Sequence, residues 1–85
     1  MYLVLEYNGE SCDLEIDERF DCSVDTLREQ LLLGLKTIYG KDIPNPHQFF
    51  LYGPNSRHHC LSPTASLSSL HLQDWDTLYL MRKGS

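Results

Sequence analysis

Lysine is scarce in this 85-residue chain: Lys36, Lys41 and Lys83 are the only three, and Lys and Arg together number 7 against 12 acidic residues. The resulting net charge of -5, with Lys and Arg scattered, argues against nucleic acid, whose phosphates demand a basic face, so proteins with basic or neutral surfaces are the expected partners. Cysteine is almost as thin. Cys12, Cys22 and Cys60 are odd in number and widely spaced, which argues against a disulfide framework and for reduced thiols. No apolar run approaches the roughly 18–20 residues of a membrane span. The Met1-Tyr2-Leu3-Val4-Leu5 start has no basic leader or small-residue cleavage site, so an intracellular protein, cytoplasmic or nuclear, is expected. Linkers, repeats and low-complexity tracts are absent too.

The chain does have an ordinary globular composition, 41% hydrophobic and 22% charged, and a length that allows one modest core. One domain over residues 1–83 is expected, with 84–85 as a tail or cloning remnant, and the isolated domain is expected to be monomeric. Met1, Leu3 and Leu5 alternate with Tyr2, Val4 and Glu6. After Asn8-Gly9, Cys12, Leu14 and Ile16 alternate with Ser11, Asp13, Glu15 and Asp17. Period-two patterning on both sides of Asn-Gly predicts a hairpin, because these residues readily take the positive φ of a tight turn. The outer face of its second strand is acidic.

Ser23 is the candidate cap of a helix over about 23–39, in which Val24, Leu27, Leu31, Leu35 and Ile38 recur at three- and four-residue steps and Gly40 marks the stop. Leu32 and Leu33 widen the apolar stripe, either as core margin or as a groove for a partner helix. Gly34 inside the helix costs about 1 kcal/mol relative to Ala, to be met by tertiary packing. The prolines of Asp42-Ile43-Pro44-Asn45-Pro46 bias their predecessors toward extended geometry. His47 to Tyr52 then reads as a third strand, residues 54–58 as a loop, and His59-Cys60-Leu61 as a short strand. A helical turn near 66–70 leads through Asp74-Trp75-Asp76 into a closing strand, Thr77 to Arg82. Trp75 is expected to cover a core edge. Leu67 is expected to be buried, so that its truncation to alanine would cost about 2–5 kcal/mol.

This order of elements resembles the ubiquitin-like β-grasp family. The resemblance covers essentially the whole chain: the Met1 hairpin with Leu14-Glu15-Ile16, the helix from Ser23, Ile43-Pro44, Gln48 to Gly53, Ser66-Leu67-Ser68, and Asp76-Thr77-Leu78-Tyr79-Leu80. It implies an α+β fold, a mixed four- to five-stranded sheet packed on one helix, with Leu67, Leu70 and Leu72 plugging one end of the core. The ending Arg82-Lys83-Gly84-Ser85 has no diglycine, so the resemblance is to a domain embedded in a larger protein and not to a conjugated modifier. The longer loop after Gly53 is similar to the F0 lobe of FERM-containing adaptors and to Ras-association domains.

The resemblance also implies a partner-binding patch on the outer sheet face at Phe50, Tyr79 and Met81, with Val4 and Gln48 beside them. Strand arithmetic agrees for the first three, since Phe49, Leu51, Leu78 and Leu80 take the inward positions. An aromatic pair with a methionine suits a protein-binding hot spot. The plainer reading is that the three shield the sheet or lie under a neighbouring domain. The expected function is therefore a non-catalytic protein-protein interaction module whose partner is a ubiquitin-receptor-type domain. The alternative is a module that binds a small GTPase, or packs on a neighbouring domain. A GTPase partner pairs its acidic strand edge-to-edge with a basic one, and here the second strand offers Asp13, Glu15, Asp17 and Glu18 with only Arg19 nearby.

An enzyme is not expected, nor a cofactor. His58-His59-Cys60 with His47 or His71 lacks the spacing of a structural zinc site. Ser23 serves better as a helix cap than as a nucleophile. Cys12 reads as a small core residue, with Cys22 and Cys60 more exposed.

Overall fold

The computed structural model describes residues 1–17 and 21–82; the expectations for Glu18, Arg19 and the tail of Lys83, Gly84 and Ser85 lie outside the described residues. Strand β1 (Tyr2–Tyr7) turns at Asn8 and Gly9, both at positive φ, into β2 (Glu10–Glu15). Two left-handed residues in a two-residue loop match the right-handed twist of the flanking strands, so Asn-Gly fixes the register at Leu3 opposite Leu14 and Leu5 opposite Cys12. All four of these side chains enter the core.

Helix α1 (Val24–Tyr39) begins where the Ser23 hydroxyl oxygen accepts the Thr26 N–H at 3.2 Å and ends at Gly40 in the left-handed region. Its first two N–H groups have no partner inside the helix, and residues 63–65 supply the acceptors: Val24 donates to the Ala65 carbonyl at 2.8 Å and Asp25 to that of Pro63 at 3.0 Å. Val24, Leu27, Leu31 and Leu35 are buried against the sheet. Ile38 keeps the angular position of that stripe but is 70% exposed, so the stripe meets the sheet only over the first three turns; Ile43, in the following loop, joins the core instead. Leu32 packs at the core margin, whereas Leu33 is 61% exposed and corrects that reading for its side chain.

The third strand starts later than the prolines suggest. Asn45 adopts a left-handed conformation and Pro46, whose fixed φ suits a first helical position, opens a single 3-10 turn over Pro46–Gln48. Arg28 on α1 clamps this turn, donating to the Pro46 carbonyl at 3.0 Å while its guanidinium pairs with Asp25 at 3.1 Å. Strand β3 is Phe49–Tyr52, helix α2 the turn Leu67–Leu70, and β4 Thr77–Arg82. The expected strand at 59–61 reduces to one bridge, Tyr52 with Cys60. The sheet among the described residues therefore has four strands, ordered β2-β1-β4-β3, with β4 parallel to β1 and the other pairs antiparallel. One mixed sheet holding one long helix on one face is the α+β, β-grasp arrangement.

The core is wholly apolar: no polar or charged described residue is buried. Leu67, Leu70 and Leu72 pack against it only partly buried, which corrects the expectation of a sealed plug at Leu67. Because part of its surface is already wet, Leu67→Ala is expected to cost about 1–2 kcal/mol. Urea titrations of the two proteins at equal m-value measure the difference.

Candidate functional site

With α1 on one face, the even-numbered positions of β1 and β3 and the odd-numbered positions of β4 define the other. On this outer face Phe50 stands opposite Met81 and Tyr52 opposite Tyr79, on adjacent rungs of the antiparallel β3–β4 pair. Directly opposed side chains lie close enough to touch, so these four form one partly exposed apolar corner. Val4 is on the same face but opposite Thr77, one rung from Tyr79 and two from the Phe50–Met81 rung. Gln48 is not on the strand at all. It ends the 3-10 turn, exposed, beside the start of β3. The fold thus brings Phe50, Tyr79 and Met81 together, sets Val4 at their margin and leaves Gln48 at the rim.

Sequence reasoning missed the residue that crosses this face. Arg57 holds its guanidinium 5.2 Å from the centre of the Tyr79 ring and forms an ion pair with Glu6 of β1. Asn55 explains how a loop residue reaches so far in. Its N–H donates to the Thr77 carbonyl at 2.8 Å, its side-chain oxygen accepts the Thr77 N–H at 2.9 Å, and its side-chain amide donates to Asp76 at 3.1 Å. Three bonds from one residue pin the loop after Gly53 to the start of β4 and send Arg57 over the sheet. The long loop was visible in the sequence; its course depends on contacts more than twenty residues apart and was not.

The diagonally opposite corner carries a second aromatic group. Trp75 does not cover the core edge: it is 56% exposed and stacks on Tyr2, itself 46% exposed, with ring centres 5.3 Å apart and planes within 9°. Glu15 faces Tyr2 across the hairpin, and a hydrogen bond from the Tyr2 hydroxyl to that carboxylate, with its charge, pushes the phenol above its usual pKa.

The surroundings of Cys12 and Cys22 disfavour their thiolates. Burial, with Asp13 adding to it, pushes Cys12 up; burial and Asp21 do the same for Cys22. A raised thiol carries less thiolate, the reverse of what activation requires. All three cysteines are free. No group of three His, Cys, Asp or Glu side chains among the described residues is placed to hold a metal ion. Among the clefts of the described surface, one of about 220 Å³ lies between Met1, Ile16 and Leu67, and one of about 250 Å³ between Leu32, Leu33 and Ile43. Among the described residues no helix is long and apolar enough to cross a membrane.

No protein-family model matches the chain, and no curated protein does. Among solved structures it is similar to the crystal structure of ATBAG1 in complex with HSP70, at 13% sequence identity and a TM-score of 0.66 over 99% of this chain. The match takes in 41% of that chain, so the sequence spans about two fifths of the neighbour's length. Likeness at this identity speaks for the fold alone.

Proposed function

We propose that this chain is a ubiquitin-like, non-catalytic protein-interaction domain of a larger protein, acting as one unit over residues 1–83 and engaging partner proteins through the β3–β4 corner of its outer sheet face. The observation that carries this reading is the direct opposition of Phe50 and Met81, beside Tyr52 and Tyr79, on the face without a helix. A methionine adapts to irregular partner surfaces and an aromatic supplies area at small entropic cost, the combination found at binding hot spots. The solved neighbour, a protein crystallised with HSP70, supports only the coarse point that this fold occurs in proteins that bind other proteins.

Binding of a small GTPase along β2 is the second reading. In its favour, β2 is an edge strand of the described sheet; against it, the Asp13 carbonyl on that edge already accepts from the Tyr39 hydroxyl at 2.8 Å, and Asp13 and Glu15, exposed on the strand, repel an acidic partner strand. A pull-down that sets ubiquitin-receptor domains and proteasomal subunits beside nucleotide-loaded Ras-family proteins separates the two. The expected result is capture of the first group, weakened about tenfold or more by Phe50→Ala or Met81→Ala, the loss typical of a hot-spot truncation. Both variants are expected to keep a cooperative thermal melt. Nucleotide-dependent capture of the GTPases, undiminished by either substitution, refutes the corner as the binding site.

A further inference from the structure

The Tyr2–Trp75 corner answers to no part of the reading above. Two large aromatic rings stacked on each other ordinarily do so to leave water, yet both of these remain about half exposed. The backbone is committed to holding them there. Trp75 has φ of 68°, a left-handed conformation that a bulky side chain rarely adopts and that persists only when its surroundings over-determine it. The surroundings do so by a reciprocal pair of bonds: the Trp75 N–H donates to the Tyr2 carbonyl at 2.8 Å, and the Tyr2 N–H donates to the Asp74 carboxylate at 3.1 Å.

The charges around the rings are equally one-sided. At the far end of the hairpin the acidic groups are neutralised, Glu6 by Arg57 and Glu10 by Lys41. At the near end Glu15 lies opposite Tyr2, Asp13 follows it on the same face opposite Val4, and Asp74 sits against the Tyr2 backbone. None of these three carboxylates has a cationic partner among the described residues. An exposed π surface bordered by carboxylates that lack a cationic partner attracts a cation twice, through the ring quadrupole and through Coulomb attraction, and a guanidinium fits both because it stacks flat and donates in a fork. A neutral or acidic segment gains neither.

We propose that the stacked Tyr2–Trp75 pair, with Glu15, Asp13 and Asp74 around it, is a docking platform for an arginine-bearing segment of a partner protein, separate from the Phe50–Met81 corner. Arginine side chains lie over the indole and phenol faces and pair with the carboxylates, so the site reads positive charge in an extended, solvent-exposed peptide.

Trp75 is the single tryptophan of the chain, which makes its fluorescence a direct reporter. The experiment titrates the intact protein with the peptide Gly-Ser-Arg-Gly-Arg-Ser-Gly and, separately, with its counterpart bearing Gln for both arginines. The expected result is a saturable change in Trp75 emission with the arginine peptide alone. Glu15→Gln should weaken it by about threefold to tenfold, in keeping with one lost charge-assisted contact. Tyr2→Leu, which keeps an apolar strand residue and removes the ring, should weaken it comparably, whereas Phe50→Ala should leave it unchanged. Three outcomes overturn the proposal: no saturable change, an equal change with the Gln peptide, or an equal weakening by Glu29→Gln on the exposed side of α1, which would reveal attraction to net charge alone. Far-UV circular dichroism of each variant separates loss of the platform from loss of the fold, and failure here with intact Phe50-dependent capture leaves the first reading standing.

Discussion

Truncating Leu27 to alanine is expected to remove about 2–5 kcal/mol of stability, the range for deleting a large side chain from a core that cannot collapse around the gap. Leu27 is 0% exposed on the face of α1 that meets the sheet, in one cluster with Leu3, Leu5, Leu14, Leu51, Leu78 and Leu80. Every neighbour of that kind is held by its own strand register, so relaxation into the cavity is limited. A domain of 85 residues holds a total stability of about 4–13 kcal/mol. A large share of that can therefore disappear with three carbon atoms. Chemical denaturation followed by far-UV circular dichroism gives the difference; a loss below about 1 kcal/mol would mean that α1 does not seat on the sheet as described.

Gly53→Ala is expected to cost about 2–4 kcal/mol, by a different route. Gly53 is buried with φ of 134°, a conformation that side chains rarely adopt. A Cβ there would lie 3.1 Å from Leu78 Cδ2 and 3.1 Å from the Thr77 carbonyl oxygen. The backbone oxygen cannot step aside, because Thr77 is held by its neighbours in β4 and by Asn55. The substitution is thus resisted both by torsion and by contact. It should also loosen the loop that carries Arg57, so that the Arg57–Tyr79 contact weakens along with the fold. Denaturation midpoints measure the first effect, and the aromatic proton shifts of Tyr79 report the second.

Much of this architecture is legible in residue order because its determinants are local. Asn8-Gly9 fixes a turn and hence a register, Ser23 and Gly40 bound a helix by the φ angles and bonds they provide, and strict alternation in β1, β2 and β4 assigns each side chain to a face. Leu78 and Leu80 inward with Tyr79 and Met81 outward needed only the period of two. What escaped the reading depends on partners remote in sequence. The prolines at 44 and 46 favour extended predecessors, yet Asn45 turns left-handed and Arg28 holds a 3-10 turn there, so Gln48 never joins the strand. Trp75 looked like a core cover because it is large and apolar; its place on Tyr2 follows from backbone bonds between residues more than seventy apart. The candidate corner was readable as a set of outward positions, whereas Arg57 across it rests on the three bonds of Asn55 and has no signature along the chain.

The most direct test of the account maps the surface itself. Uniformly labelled protein is titrated with a ubiquitin-receptor domain that the pull-down captures, and backbone amide and methionine methyl shifts are followed. The account predicts that the largest changes cluster at Phe50, Tyr52, Tyr79 and Met81, extend to Arg57 as its contact with Tyr79 is altered, and fade toward β2. Changes confined to β2 or to the exposed side of α1, with the Met81 methyl unmoved at saturation, would contradict it.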